Sequence, residues 1–127
     1  DDVELLKTIP GVGDVIANTL VAEICDIRRF SSPENLFSYA GMVSSIHQSG
    51  EKGWAGPITK QGNARIRHIV VEAAYSHVRC SKDSDLTRFF ERKKSEKGTK
   101  KAIVAMARKL LGVIYQMLKK REVYHAH

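Results

Sequence analysis

AIVAMARKLLGVIYQML, residues 102–118, carries apolar side chains at Ile103, Val104, Ala107, Leu110, Leu111, Ile114 and Leu118. Steps of three and four recur along it, the spacing that stacks side chains on one face of an α-helix. It is the longest amphipathic stripe in the chain, and it predicts a helix whose apolar face needs covering. A stripe of this length also offers a surface for dimerisation.

Upstream, Gly98 ends a preceding helix and Thr99 is placed to cap the next. That preceding helix spans Asp85 to about Lys97, highly charged, with Leu86, Phe89 and Phe90 as its packing residues. Before it, Ile66, Ile69, Val70, Ala73, Ala74 and His77 line one helical face, with Arg65, Arg67 and Glu72 off that face. In the N-terminal third, Val3 to Ile9 makes a turn or two of helix. A second helix runs from Asp14 through Val15, Ile16, Leu20, Val21 and Ile24. Ser31-Ser32-Pro33-Glu34 is a helix start: a serine cap, proline in the first turn and an acid three residues after Ser31. This helix should reach about Tyr39 and stop near Gly41. No parallel-strand pattern appears and no segment repeats, so the expected class is all-α. Ser44–Ile58 could hold short extended pieces or a hairpin. Gly50, Gly53, Gly56 and Pro57 keep it mostly loop.

The chain has 127 residues, 43% of them hydrophobic, enough for one folded domain and against disorder. No apolar run approaches the roughly 20 residues of a membrane span. Cys25 and Cys80 lack metal or redox spacing and suit reduced thiols in the cytoplasm. The chain opens on Asp1 within a helical pattern, and the expectation is a fragment of a longer protein. The net charge of +7 is uneven: residues 1–42 hold seven acids and three bases, leaving +11 on residues 43–127. That distribution, with a pI near 9.6, suits a nucleic-acid binder as well as a soluble protein with a basic surface.

Leu6-Lys7-Thr8-Ile9-Pro10-Gly11-Val12-Gly13-Asp14 is similar to a helix-hairpin-helix, an element expected within residues 1–25. Gly11 and Gly13 permit close backbone approach, and free amides at the helix start can hold a phosphate oxygen. Asp14 opposes that contact because an acid there meets the helix dipole itself. A structural role for the hairpin is therefore preferred. His68 and Glu72 lie one turn apart, but no second histidine stands at ligand spacing, so no metal is expected here. His77 reads as a core-edge residue, and His125 and His127 lie in a frayed tail. There is no Gly-x-Ser-x-Gly elbow and no carboxylate cluster for magnesium.

SSIHQSGEKGWAGPITKQGNARIRH, residues 44–68, is the remaining site candidate. A serine attacking a phosphodiester needs exposure, a proton acceptor and positive charge around the phosphorus oxygens. Ser49-Gly50 offers an accessible hydroxyl, and Lys52, Lys60, Arg65 and Arg67 follow closely enough to flank a phosphate. Ser-Gly pairs are also common in ordinary loops, and on the residues alone an ordinary loop is the simpler reading.

Taken together, Leu5–Ile24, Asp26–Gly41, Gln48-Ser49-Gly50, Ile58–Arg67 and Ala102–Leu111 resemble the C-terminal transposase domain of the Piv/MooV-type insertion-sequence transposases. The resemblance runs in order over nearly the whole chain, 1–127. It implies a serine nucleophile here, matched to Ser49, with Ser45 and Ser44 as fallbacks. It also implies an N-terminal RuvC-like domain whose acidic residues bind Mg2+, and a bridge RNA guide in some members. Two departures stand out. Ser44 occupies a position usually proline in the family, and Glu51, Trp54 and Ala55 stand where the family is often more basic. The resulting expectation is the serine-bearing, DNA-binding half of a cytoplasmic transposase or site-specific recombinase. It would need no cofactor of its own and would be homo-oligomeric in the full-length protein. The helix from Arg65 and residues Arg88–Lys101 would hold nucleic-acid backbone. The alternative is a non-catalytic nucleic-acid-binding module built on the hairpin.

Overall fold

A computed structural model describes residues 1–42 and 64–125. Six α-helices and one 3₁₀ turn are formed among them, and no strand. They are α1 (Asp2–Leu6), α2 (Asp14–Ile24), a 3₁₀ turn (Ile27–Arg29), α3 (Pro33–Tyr39), α4 (Ala64–Cys80), α5 (Asp85–Lys97) and α6 (Thr99–Lys120). The all-α expectation holds for these residues.

Helix α6 is the axis of the fold. It packs most extensively on α5, then on α4 and α3, and its C-terminal half reaches α1. Met106, Ala107, Leu110, Leu111 and Ile114 are fully buried along it. Each large apolar side chain withdrawn from water in this way stabilises the fold by about 1.5–3 kcal/mol. Most of the stripe is thus buried against the domain's own helices, and among the described residues it is not free to serve as the dimerisation surface the sequence suggested. Val104 departs from the stripe: it is 45% exposed, because Ile103 and Ala107 aim at the core and leave it on the rim facing α4.

The local signals set most helix ends. Ser84 caps α5, its Oγ accepting from the Thr87 amide at 3.1 Å, and Asp85 adds an acid to the first turn. Gly98, at φ +93°, ends α5 and begins α6 in a single residue. Thr99 therefore does not cap α6 as expected. The reversal leaves no extended residue ahead of the helix from which its hydroxyl could reach the first amides. The cap of α3 is Ser32, whose Oγ accepts from the Asn35 amide at 3.3 Å. Ser31, one residue earlier, instead accepts from the Asn35 side chain at 2.7 Å. Proline at the first helical position puts the cap one residue before it.

The ends of the chain are tied together. Tyr115 donates to the Phe30 carbonyl at 3.0 Å, and Lys119 reaches the same oxygen at 3.3 Å. Arg121 pairs with Asp2, and the Tyr124 amide donates to Thr8 Oγ1 at 2.8 Å. Cys25 and Cys80 are both exposed and are not bonded to each other. No described helix is long and apolar enough to cross a membrane.

Candidate nucleic-acid interface

The two glycines between α1 and α2 do different work. Gly11 has φ +97°, and a Cβ on it would lie 2.6 Å from the His77 amide nitrogen and 2.8 Å from the Ser76 carbonyl carbon. It is the point at which the turn presses on the α4 backbone. Gly13 faces solvent with nothing near its Cβ position, and it stands at the N-cap of α2 without a side-chain cap. Lys7 meets Asp14 across the turn at 2.6 Å. The hydrogen bond to Asp14 holds the Lys7 ammonium above the usual lysine pKa, and the two charges largely cancel at this corner.

His77 is not at the core edge. It is fully buried between this turn and α5. Its Nδ1 lies 2.7 Å from the Pro10 carbonyl and its Nε2 lies 2.7 Å from Ser84 Oγ. A carbonyl only accepts, so Nδ1 carries a proton and donates to Pro10, while Ser84 Oγ sits between Nε2 and Thr87 Oγ1, the latter at 3.1 Å. Sequence reading missed this link. The only local sign was a histidine in register with an otherwise apolar face.

The two arginines that open α4 diverge. Arg65 pairs with Glu23 of α2 at 3.5 Å. Arg67 turns the other way, with one terminal nitrogen 3.8 Å from where a Gly41 Cβ would stand. There it lines a cavity of about 390 Å³ with Gly41, Met42, His68 and Arg108 over Val71, Val104 and Ala105. Arg108 was not singled out from the sequence, although it lies in the Ala102–Leu111 stretch. Its Nε donates to the Met42 carbonyl at 3.1 Å, and its guanidinium sits 4.4 Å from the centre of the Phe37 ring. Among the described residues no carboxylate pairs with Arg67 or Arg108. Ser44, Ser45, Ser49, Lys52 and Lys60 lie outside the described residues. Met42, the last described residue before that stretch, and Arg67 and His68 in the first two turns of α4 after it border the same cavity.

The basic run Arg88–Lys101 is partly self-neutralised. Arg88 pairs with Asp85, Lys94 with Glu91 at 3.6 Å, and Lys93 with Glu96 at 3.8 Å. Arg92, Lys93 and Lys109 gather around the half-buried Phe89 ring, Lys109 nearest at 4.7 Å. His68 and Glu72 are exposed, and among the described residues no three His, Cys, Asp or Glu side chains converge as metal ligands.

Residues 3–90, from α1 into α5, match the family model described as transposase IS116/IS110/IS902 family. The chain belongs to this transposase family. Among curated proteins, this transposase-family chain is 31% identical over 130 residues to the transposase for insertion sequence element IS1111A of Coxiella burnetii, covering 98% of the chain and 35% of that protein. It is 31% identical over 122 residues to the pilin gene-inverting protein of Moraxella bovis, covering 94% of the chain and 38% of that protein. A probable family 20 transposase of Pseudomonas aeruginosa is 23% identical over 124 residues, 96% of the chain and 37% of that protein. The chain thus spans about a third of the length of these relatives. No solved structure matches it.

Proposed function

We propose that the chain is the serine-bearing, DNA-binding part of a transposase or site-specific recombinase of the Piv/MooV type, acting on insertion-sequence DNA. The observation that carries this is the family match over residues 3–90, supported by a gene-inverting relative that aligns over 94% of the chain. DNA inversion and transposition both require a strand to be cut and rejoined.

In this reading Ser49 is the nucleophile, with Ser45 and Ser44 as alternatives. Its oxygen forms a bond to a DNA phosphorus as one bond from that phosphorus to a sugar oxygen breaks. The serine loses its proton to a base, and the departing sugar oxygen gains one. Attack by a second strand's hydroxyl reverses the step and releases the serine, so the phosphodiester is conserved and no external energy source is needed. Positive charge around the phosphate stabilises the transition state. Lys52, Lys60 and Arg67 serve that purpose, while Arg65 shares its charge with Glu23. The exposed amides at Gly13 are a secondary backbone contact. Gly11, pressed against α4, acts through the fold.

The whole protein, in this proposal, adds an N-terminal RuvC-like domain, assembles as a homo-oligomer in the cytoplasm, and takes a bridge RNA as guide. Acidic residues of that domain would hold Mg2+, which supplies Lewis-acid chemistry at the phosphate.

The test is a covalent adduct. Full-length protein, with its guide RNA, is incubated with labelled target DNA and resolved under denaturing conditions. Ser49→Ala should abolish the adduct and strand exchange while leaving folding and DNA binding intact. Ser44→Ala and Ser45→Ala should keep at least partial activity. An active Ser49→Ala beside a dead Ser45→Ala moves the assignment to Ser45. If all three variants recombine, the serine mechanism is wrong. An adduct-free parent that still binds DNA would mark a non-catalytic binding module.

A further inference from the structure

We propose that the cavity between α4 and α6, walled by Arg67 and Arg108, is a dedicated seat for one backbone phosphate of the bound nucleic acid, and that Arg108 is its principal positioning residue. The inference rests on the functional reading above for the identity of the ligand. It rests on geometry for the place.

Three observations carry it. First, the cavity joins two guanidinium groups that no described carboxylate neutralises, whereas Arg65 nearby pairs with Glu23, and Arg88, Lys93 and Lys94 pair within their own helix. Arginine presents planar donor pairs that match the oxygens of a phosphate. Second, Arg108 is held before any ligand arrives. Its Nε is committed to the Met42 carbonyl and its face lies over Phe37, so the side-chain entropy of ordering it is already spent. Its terminal amino groups have no acceptor among the described residues. Third, the floor is apolar. Val71, Val104 and Ala105 line the cavity beside the cations, so the arginine donors face few competing polar groups of the protein. About 390 Å³ accommodates a phosphate with part of its sugar, at the small end of ligand sites.

His68 borders the cavity as a third donor on the same side as Arg67. A carboxylate ligand would fit the arginines as well, but a domain with +11 on residues 43–127 draws a polyanion far more strongly than a single acid.

The experiment titrates the 127-residue chain into a fluorescently labelled single-stranded oligonucleotide at several salt concentrations. It is repeated for Arg67→Gln, Arg108→Lys and Lys120→Gln. Lys120 is a single-charge control, 12 residues beyond Arg108 and so roughly 18 Å further along α6. Arg67→Gln should weaken binding about five- to tenfold and flatten the log–log salt dependence by about 0.7, the loss of one phosphate contact to a single strand. Arg108→Lys keeps the charge but loses both the fork and the Met42 anchor, and should weaken binding by at least about threefold. Lys120→Gln should change it by less than about twofold. In the unaltered chain, the Nε–Hε NMR resonances of Arg67 and Arg108 should shift on adding the oligonucleotide. These resonances decide the matter if Arg108→Lys melts early.

Equal weakening by Arg67→Gln and Lys120→Gln, with both arginine resonances unmoved, would overturn the pocket while leaving nucleic-acid binding standing. No binding by the unaltered chain at about 50 mM salt would remove both.

Discussion

Replacing Gly11 with alanine or valine places a Cβ 2.6 Å from the His77 amide nitrogen and 2.7 Å from its Cα. Those atoms belong to the backbone of the last turn of α4 and cannot step aside as a flexible side chain would. Three costs follow from the one substitution. A non-glycine residue at φ +97° is strained by about 1–3 kcal/mol. Pushing the turn away from α4 overpacks the contact, for about 1–3 kcal/mol more. It also stretches the bond between His77 Nδ1 and the Pro10 carbonyl, leaving buried polar groups short of a partner at about 1–3 kcal/mol. Allowing for shared relaxation, the total is about 4–6 kcal/mol, against a whole-domain stability of about 5–15. For a domain of this size the melting temperature should fall by about 15–20 °C. The offending atom is the Cβ itself, so alanine should do nearly as much harm as valine. Gly13→Ala is the matched control: its φ is −103° and nothing lies near the added carbon, so it should cost less than about 1 kcal/mol. Melting is followed by far-UV circular dichroism, with oligonucleotide binding measured in parallel. A Gly11→Ala protein that melts within about 3 °C of its parent refutes the close-approach reasoning. If that variant also loses binding, Gly11 acts at a phosphate and its role is not in the fold.

Ser84→Ala removes both the cap of α5 and the partner of His77 Nε2, and should lower the free energy of unfolding by about 2–3 kcal/mol in urea titrations. A loss below about 0.5 kcal/mol would mean that the buried His77–Ser84 link contributes nothing. Tyr115→Phe should cost only about 0.5–1 kcal/mol, because Lys119 also donates to the Phe30 carbonyl. Adding Lys119→Met should cost more than the two single changes summed, and simple additivity would show that the two donors do not share that oxygen.

The sequence by itself determined the features that depend on a few neighbouring residues. The bounds of α2 and α5 follow from periodicity, an acid in the first turn and, for α5, a terminal glycine, all of which act within one or two helical turns. The same locality explains the small errors: a cap displaced from Ser31 to Ser32, and Thr99 left without a capping role. The serine stretch drew its reading from the pattern of residues 44–68 and from the family resemblance, and it lies outside the described residues, so the fold neither adds to nor subtracts from that reading. Tertiary structure alone decided which face of each helix met which partner. His77 meets Pro10 across 67 positions, Arg108 meets Met42 across 66, and Tyr115 meets Phe30 across 85. An apolar stripe says that a face is buried and not what buries it, so α6 could be read as a dimer surface until its neighbours were in place. Arg65 and Arg67 look alike on paper, two positions apart. A helix turns 100° per residue, so the two side chains point about 200° apart, one to Glu23 and the other into the cavity with Arg108.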